Sequence, residues 1–124
     1  MKIYCCECKK DVDARLTDGR EIYPNRKDLF ILPFWKCDVC GNYVGCHHKT
    51  ENRTKPLGVI PNKLIREYRK MIHNVIDPLW KNKTMNRKKI YNEISNQLGY
   101  EYHTAELKTT EECKKVIEIV NGIT

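Results

Sequence analysis

The spacing of apolar residues changes part-way along the chain. Through residue 48 they come in short alternating or continuous runs; from Asn62 onward they recur at helical intervals. In the first region Val12, Ala14 and Leu16 alternate with polar residues. Asp18-Gly19 stands where a two-residue turn wants positive φ, and Glu21-Ile22-Tyr23 returns, which predicts a β-hairpin. Residues 29–37, LFILPFWKC, are apolar and β-prone with a break at Pro33, and NYVGC at 42–46 reads as a further short strand. Nothing before residue 49 is long or periodic enough for a helix.

Residues 49–61 are polar and contain Pro56, Gly58 and Pro61, the composition of a linker. Beyond them Leu64, Ile65, Tyr68, Met71, Ile72, Val75, Ile76 and Leu79 form an apolar helical stripe. Lys63, Arg66, Glu67, Arg69, Lys70, His73 and Asn74 are read onto the other side. Asp77-Pro78 suits an N-cap followed by proline at the first helical position, so this helix is expected to kink or restart before Leu79-Trp80-Lys81, with Tyr68 and Trp80 packed inward. A second helix fits 86–99, with Ile90, Tyr91, Ile94 and Leu98 inward and Gly99 as its stop. A third fits 109–122. Thr109 and Glu112 make a capping-box pair, Cys113, Val116, Ile117 and Val120 form the apolar face, and Gly122 ends it.

The chain has seven cysteines, an odd number, and neither an 18-residue apolar run nor the apolar core of a secretory signal. A cytoplasmic protein follows, whose thiols in a reducing compartment serve as ligands rather than disulfides. Cys5-x2-Cys8 and Cys37-x2-Cys40, 28 residues apart, make a four-thiolate pattern in which each short gap lets two sulfurs reach one ion. The long spacer, the strands and Gly41 after the second pair predict a zinc ribbon holding one structural Zn2+; an iron centre of rubredoxin type is the alternative that the same ligands permit. A closed all-thiolate site has no open position for substrate. In CCEC, Cys5 and Cys8 have the ligand spacing and Cys6 is a spare thiol that is the alternate ligand.

Cys46, His47, His48, His103 and Cys113 are left over. Either some of them converge on a second metal site, or Cys46 is a small buried residue, His47 or His48 bonds to backbone, and Cys113 belongs to a helix core; the second reading is preferred, because no further close pair supplies ligands. The order His47-His48, Asn62, His73 also resembles metal-dependent HNH nucleases, with Asp77 one turn beyond His73 as an added ligand. The match is poor: both Cys pairs lie upstream of the doublet, and the gap from Asn62 to His73 is too long. His47, His73 and Asp77 are therefore the weak catalytic candidates, and a binding protein is expected rather than an enzyme.

Charge adds a partner class. The chain carries net +7, and residues 49–89 alone hold twelve Lys/Arg against three Asp/Glu. Lys63, Arg66, Arg69 and Lys70 on the first helix, and Lys81, Lys83, Arg87, Lys88 and Lys89 beyond, make a basic waist suited to the phosphates of a nucleic acid or to an acidic protein. No recognition cluster for base edges is present on that face, so binding that ignores sequence is expected. No membrane partner is expected.

Together these features predict an α+β protein: a zinc ribbon of short antiparallel strands at 1–48, a linker at 49–61, and a three-helix part at 62–124 packed with the ribbon as one unit. Nearly the whole chain, through EIYPNRKDLFILPFWKCDVCGNYVGCH, KPLG, DPLW and the late YH and EEC, resembles a family of small bacterial and bacteriophage proteins known as the zinc-finger-containing domain. The resemblance implies zinc ligation by Cys5, Cys8, Cys37 and Cys40, and positions equivalent to Cys46, His47, His73 and His103. It implies a bacterial host cell and a phage or mobile-element setting, where small proteins bind nucleic acid or modulate a host complex, and it implies no activity. CCEC departs from the family's more usual Cys-Pro-x-Cys.

Overall fold

The computed structural model describes residues 1–81 and 86–123, without the side chains of Trp80 and Ile123. Two antiparallel sheets come first. β1 (Lys2–Cys5) pairs with β2 (Lys10–Asp13), and β3 (Arg15–Asp18), β4 (Pro33–Lys36) and β5 (Tyr43–Gly45) form a three-stranded sheet in that order. Both sheets turn apolar side chains toward one core of Ile3, Cys5, Val12, Ala14, Cys37, Val44 and Ile60.

The expected hairpin around Asp18-Gly19 is not what forms. Val12 and Leu16 belong to different sheets, and the connection that pairs β1 with β2 is the turn carrying Cys5 to Cys8. Asp18 instead caps a short helix, α1 (Gly19–Ile22), by accepting from the Arg20 N–H at 2.9 Å. Gly19 owes its place to crowding rather than to φ, since a Cβ there would lie 1.7 Å from the Leu29 carbonyl oxygen. A 3-10 turn at Lys27–Leu29 follows, and β4 then returns beside β3.

Residues 49–61 end as part of this structure and not as a free tether. Leu57 N–H donates to Gly45 O, and Ile60 N–H donates to Tyr4 O on the outer side of β1. Ile60 is completely buried because two apolar residues, Val59 and Ile60, follow the polar stretch and supply core that the short strands lack. The first of two compact units therefore runs Met1–Lys63, and the second is Leu64–Thr124.

The second unit is helical: α2 (Lys63–Lys81), α3 (Arg87–Leu98) and α4 (Thr110–Ile123). α2 continues through Pro78 instead of restarting there. Proline removes one hydrogen bond near the end of the helix, where little of the ladder remains to be lost. Asp77 is accordingly a helical residue and not an N-cap. Ile65, Ile72 and Ile76 are buried, whereas Leu64 and Met71, assigned to the same stripe from the sequence, are about half exposed. α3 starts at Asn86, whose side chain accepts from Lys89 N–H at 2.7 Å, and stops at Gly99 with φ +84°. α4 has Thr109 accepting from Glu112 N–H while Glu112 accepts from Lys108 N–H, a capping box displaced by one residue at its return bond. It passes Gly122 and buries Ile119 in preference to Ile117.

Candidate metal centre

Each Cys-x2-Cys pair sits on a tight turn of the same construction. Lys9 N–H donates to Cys5 O and Gly41 N–H to Cys37 O, both at 2.8 Å. The donor residue is left-handed in both turns, with φ +57° at Lys9 and +81° at Gly41. Glycine adopts that conformation freely; a lysine there costs on the order of 1–2 kcal/mol, so the first turn holds its shape against strain.

The two turns bring Cys5, Cys8, Cys37 and Cys40 together with all four sulfurs within 4.8 Å of one another. Cys5 lies 3.5 Å from Cys40, and Cys8 lies 3.8 Å from Cys37. A regular tetrahedron with Zn–S of about 2.3 Å has S···S edges of about 3.8 Å, so the cluster fits one tetrahedral zinc. Cys5 and Cys37 are also members of the core, and Cys8 and Cys40 pack against it. The ion this site holds is a staple that completes a small core.

Backbone and side-chain donors point at the sulfurs. The N–H groups of Glu7 and Cys8 favour the Cys5 thiolate, but burial outweighs them and pushes the metal-free Cys5 thiol up to about 12. Cys40 goes the other way: burial opposes ionisation, and hydrogen bonds from the Asn42 backbone and side chain, with those of Cys5 and Cys37, bring it below the usual thiol value. The Asn42 amide donates to Cys40 Sγ at 3.2 Å. Metal binding must displace the proton that burial holds on Cys5, so zinc affinity rises with pH.

The second turn is tied to the sheet by charge. Arg15 grips Asp38 with two hydrogen bonds, at 2.8 and 3.0 Å, and bonds Glu21 at 2.8 Å. Arg15 and Lys36 are cross-strand neighbours of like charge, and Glu21 stands between them, 2.6 Å from Lys36. Arg15 first, then Lys36 and Thr17, hold the Glu21 carboxyl far below the ordinary carboxylate range.

The spare residues are used elsewhere. Cys6 is buried, with its N–H donated to Ile60 O. Cys46 is buried at the end of β5, in a bridge to Pro56, and burial raises its thiol pKa. His47 closes a turn whose Thr50 N–H and hydroxyl donate to the His47 carbonyl, and the His48 ring lies 3.3 Å from Cys46 O. His103 faces Glu101 at 3.3 Å on the surface, and Cys113 is fully buried in α4. Among the described residues the four cysteines are the one group of three or more ligating side chains within such reach.

Over residues 1–123 the sequence matches the family described as a zinc-finger-containing domain. The chain belongs to that family. No curated protein and no solved structure matches it. Membership of a zinc-finger family and the four-thiol geometry agree on a small zinc-binding protein. No helix among the described residues is long and apolar enough to cross a membrane.

The basic residues of α2 fall into two groups. Lys63, Lys70 and Lys81 are exposed, and Arg66 is partly so. Arg69 is turned inward and donates to the carbonyls of Ala105 and Leu107 at 2.9 and 3.0 Å, so it leaves the predicted binding face. Its position explains this: Arg69 is four residues after Ile65 and three before Ile72, inside the buried stripe. Lys83 lies outside the described residues.

Sequence reading missed Asn42, Lys9 and Ile60 as parts of the centre. The signal for Lys9 was its equivalence to Gly41, one place after the second cysteine of each pair. Asn42 carried none beyond its nearness to Cys40.

Proposed function

We propose that this is a nucleic-acid-binding accessory protein in which the zinc ribbon is structural and α2 presents the contact surface. The observation that carries the reading is the row Lys63, Arg66 and Lys70, at i, i+3 and i+7 on one helical face, in the segment of the chain richest in positive charge. The cations meet phosphates and read no bases, because the face lacks a set of amide or guanidinium groups reserved for base edges. If each of the three displaces one counterion from duplex DNA, log K falls with log salt at a slope of about −3.

The test is a salt titration of binding to a mixed-sequence duplex, with the double variant Arg66→Glu, Lys70→Glu beside it. Weaker binding with a slope shallower by about 2 supports the reading. Binding that ignores salt, or a slope unchanged in the variant, refutes it.

A second reading, a phage-encoded module that docks on a host protein complex, is favoured by Leu64 and Met71, which lie seven residues apart on α2 and are 49% and 51% exposed. Salt-tolerant capture of a host protein that is lost on Met71→Glu would put this reading first.

A further inference from the structure

The edge of the first hairpin is open. β2 is the outer strand of its two-stranded sheet, and antiparallel pairs alternate between those that exchange backbone hydrogen bonds and those that do not. Ala14 N–H donates to Met1 O at 2.9 Å, which sets the bonded pairs at Met1/Ala14, Ile3/Val12 and Cys5/Lys10. The N–H and C=O groups of Asp11 and Asp13 therefore point away from β1. The outer side of β1 is covered by Ile60; among the described residues no backbone hydrogen bond reaches Asp11 or Asp13 from outside.

A cleft of ≈ 310 Å³ runs along this edge, with β2 as one wall and Cys37–Val39 of the second turn as the other. Its lining carries three carboxylates: Asp38 is held by Arg15, Asp13 pairs with Lys2 at 3.0 Å on the exposed face, and Asp11 lies next to Lys10 in the strand. Behind Cys37 lies a four-thiolate zinc centre that is doubly negative when loaded. The outer strand itself presents two exposed carboxylates, Asp11 and Asp13, at the two positions whose backbone groups face outward. A second copy of the chain is a poor occupant, because antiparallel pairing of two β2 edges about Val12 sets Asp11 against Asp13 twice.

We infer that this groove binds an extended segment of a partner protein, which adds to β2 as a third strand and carries basic side chains at alternate positions opposite Asp11 and Asp13. The intervening positions fall on the Val12 face. There they meet Val39, 83% exposed at the rim, and are apolar in the matching partner.

The probe is a capped octapeptide of alternating lysine and valine, titrated into the zinc-loaded, 15N-labelled full chain. Its controls are the glutamate-for-lysine counterpart and a lysine-valine peptide N-methylated at every second residue. Expected are shifts centred on the Asp11 and Asp13 amides, at least tenfold slower hydrogen exchange there, and at least tenfold weaker binding of both controls. Asp11→Pro removes an N–H that β1 does not use, so it is expected to abolish binding while the β1–β2 resonances persist. Should that variant misfold, Asp11→Lys with Asp13→Lys leaves the backbone intact and is expected to reverse the preference toward the glutamate peptide. Equal binding of the charged peptides, full binding of the N-methylated one, shifts that map elsewhere, or no binding at all would overturn the inference.

Discussion

At the scale of single residues, two positions are held by constraints that only neighbours impose. Gly19 has an unremarkable φ, yet the Leu29 carbonyl occupies the space where a side chain would begin. Gly19→Ala must therefore push α1 away from the following 3-10 turn. It is expected to lower the denaturation midpoint of the first unit, with a loss at or above the roughly 1–3 kcal/mol typical of overpacking. Asn42 is the second case. Its side-chain amide favours the thiolate of Cys40, and Asn42→Ala is expected to weaken zinc binding by roughly 10–100-fold, measured by chelator competition, while the strands persist at saturating zinc.

At the scale of elements, the helical unit shows how a regular pattern conceals polar anchors. Tyr102 is buried after α3, with its hydroxyl 2.6 Å from the Thr104 hydroxyl. Burial pushes its ionisation well above the usual tyrosine value. A buried acid with a raised pKa stays protonated in the folded state while the unfolded chain begins to release its proton near pH 10. Stability is then present below that pH and lost as pH rises above it. Tyr102→Phe is expected to cost about 1 kcal/mol at pH 7 through the lost hydrogen bond. The gap to the parent should narrow above pH 10, because phenylalanine has no proton to lose; urea denaturation at pH 7, 10 and 11 measures both. Arg69 teaches a related lesson, since a charged residue in an apolar stripe bonds the carbonyls at Ala105 and Leu107 rather than facing solvent.

At the scale of the whole molecule, two cores are held differently. The first has short strands and seven buried core residues, two of them zinc ligands; the second has its own isoleucine and valine core on three helices. Chelation is expected to unfold the first unit while helical circular dichroism at 222 nm largely remains, and added zinc is expected to restore the lost part. Simultaneous loss of both signals would sink the claim that the metal is a staple of the first core alone.

What could be read in advance follows from the range of each signal. The four ligands, the α+β class, the cap at Gly99 and the capping box of α4 were legible, because metal-ligand spacing and helix capping are local rules that span a few residues. The second core role of Ile60, the inward turn of Arg69 and the continuation of α2 through Pro78 were not, because each depends on which distant groups stand nearby. The strand pairing belongs with them. Asp18-Gly19 has hairpin composition, yet the metal turn at Cys5–Cys8 brings β1 to β2 and leaves Asp18 to cap a helix. The sequence by itself determined that a metal would be bound, and by which residues, since two Cys-x2-Cys pairs at that spacing supply the four thiolates of one tetrahedral ion. Tertiary structure decided which cations face solvent and which strand edge stays open, since both depend on contacts between segments far apart in the chain.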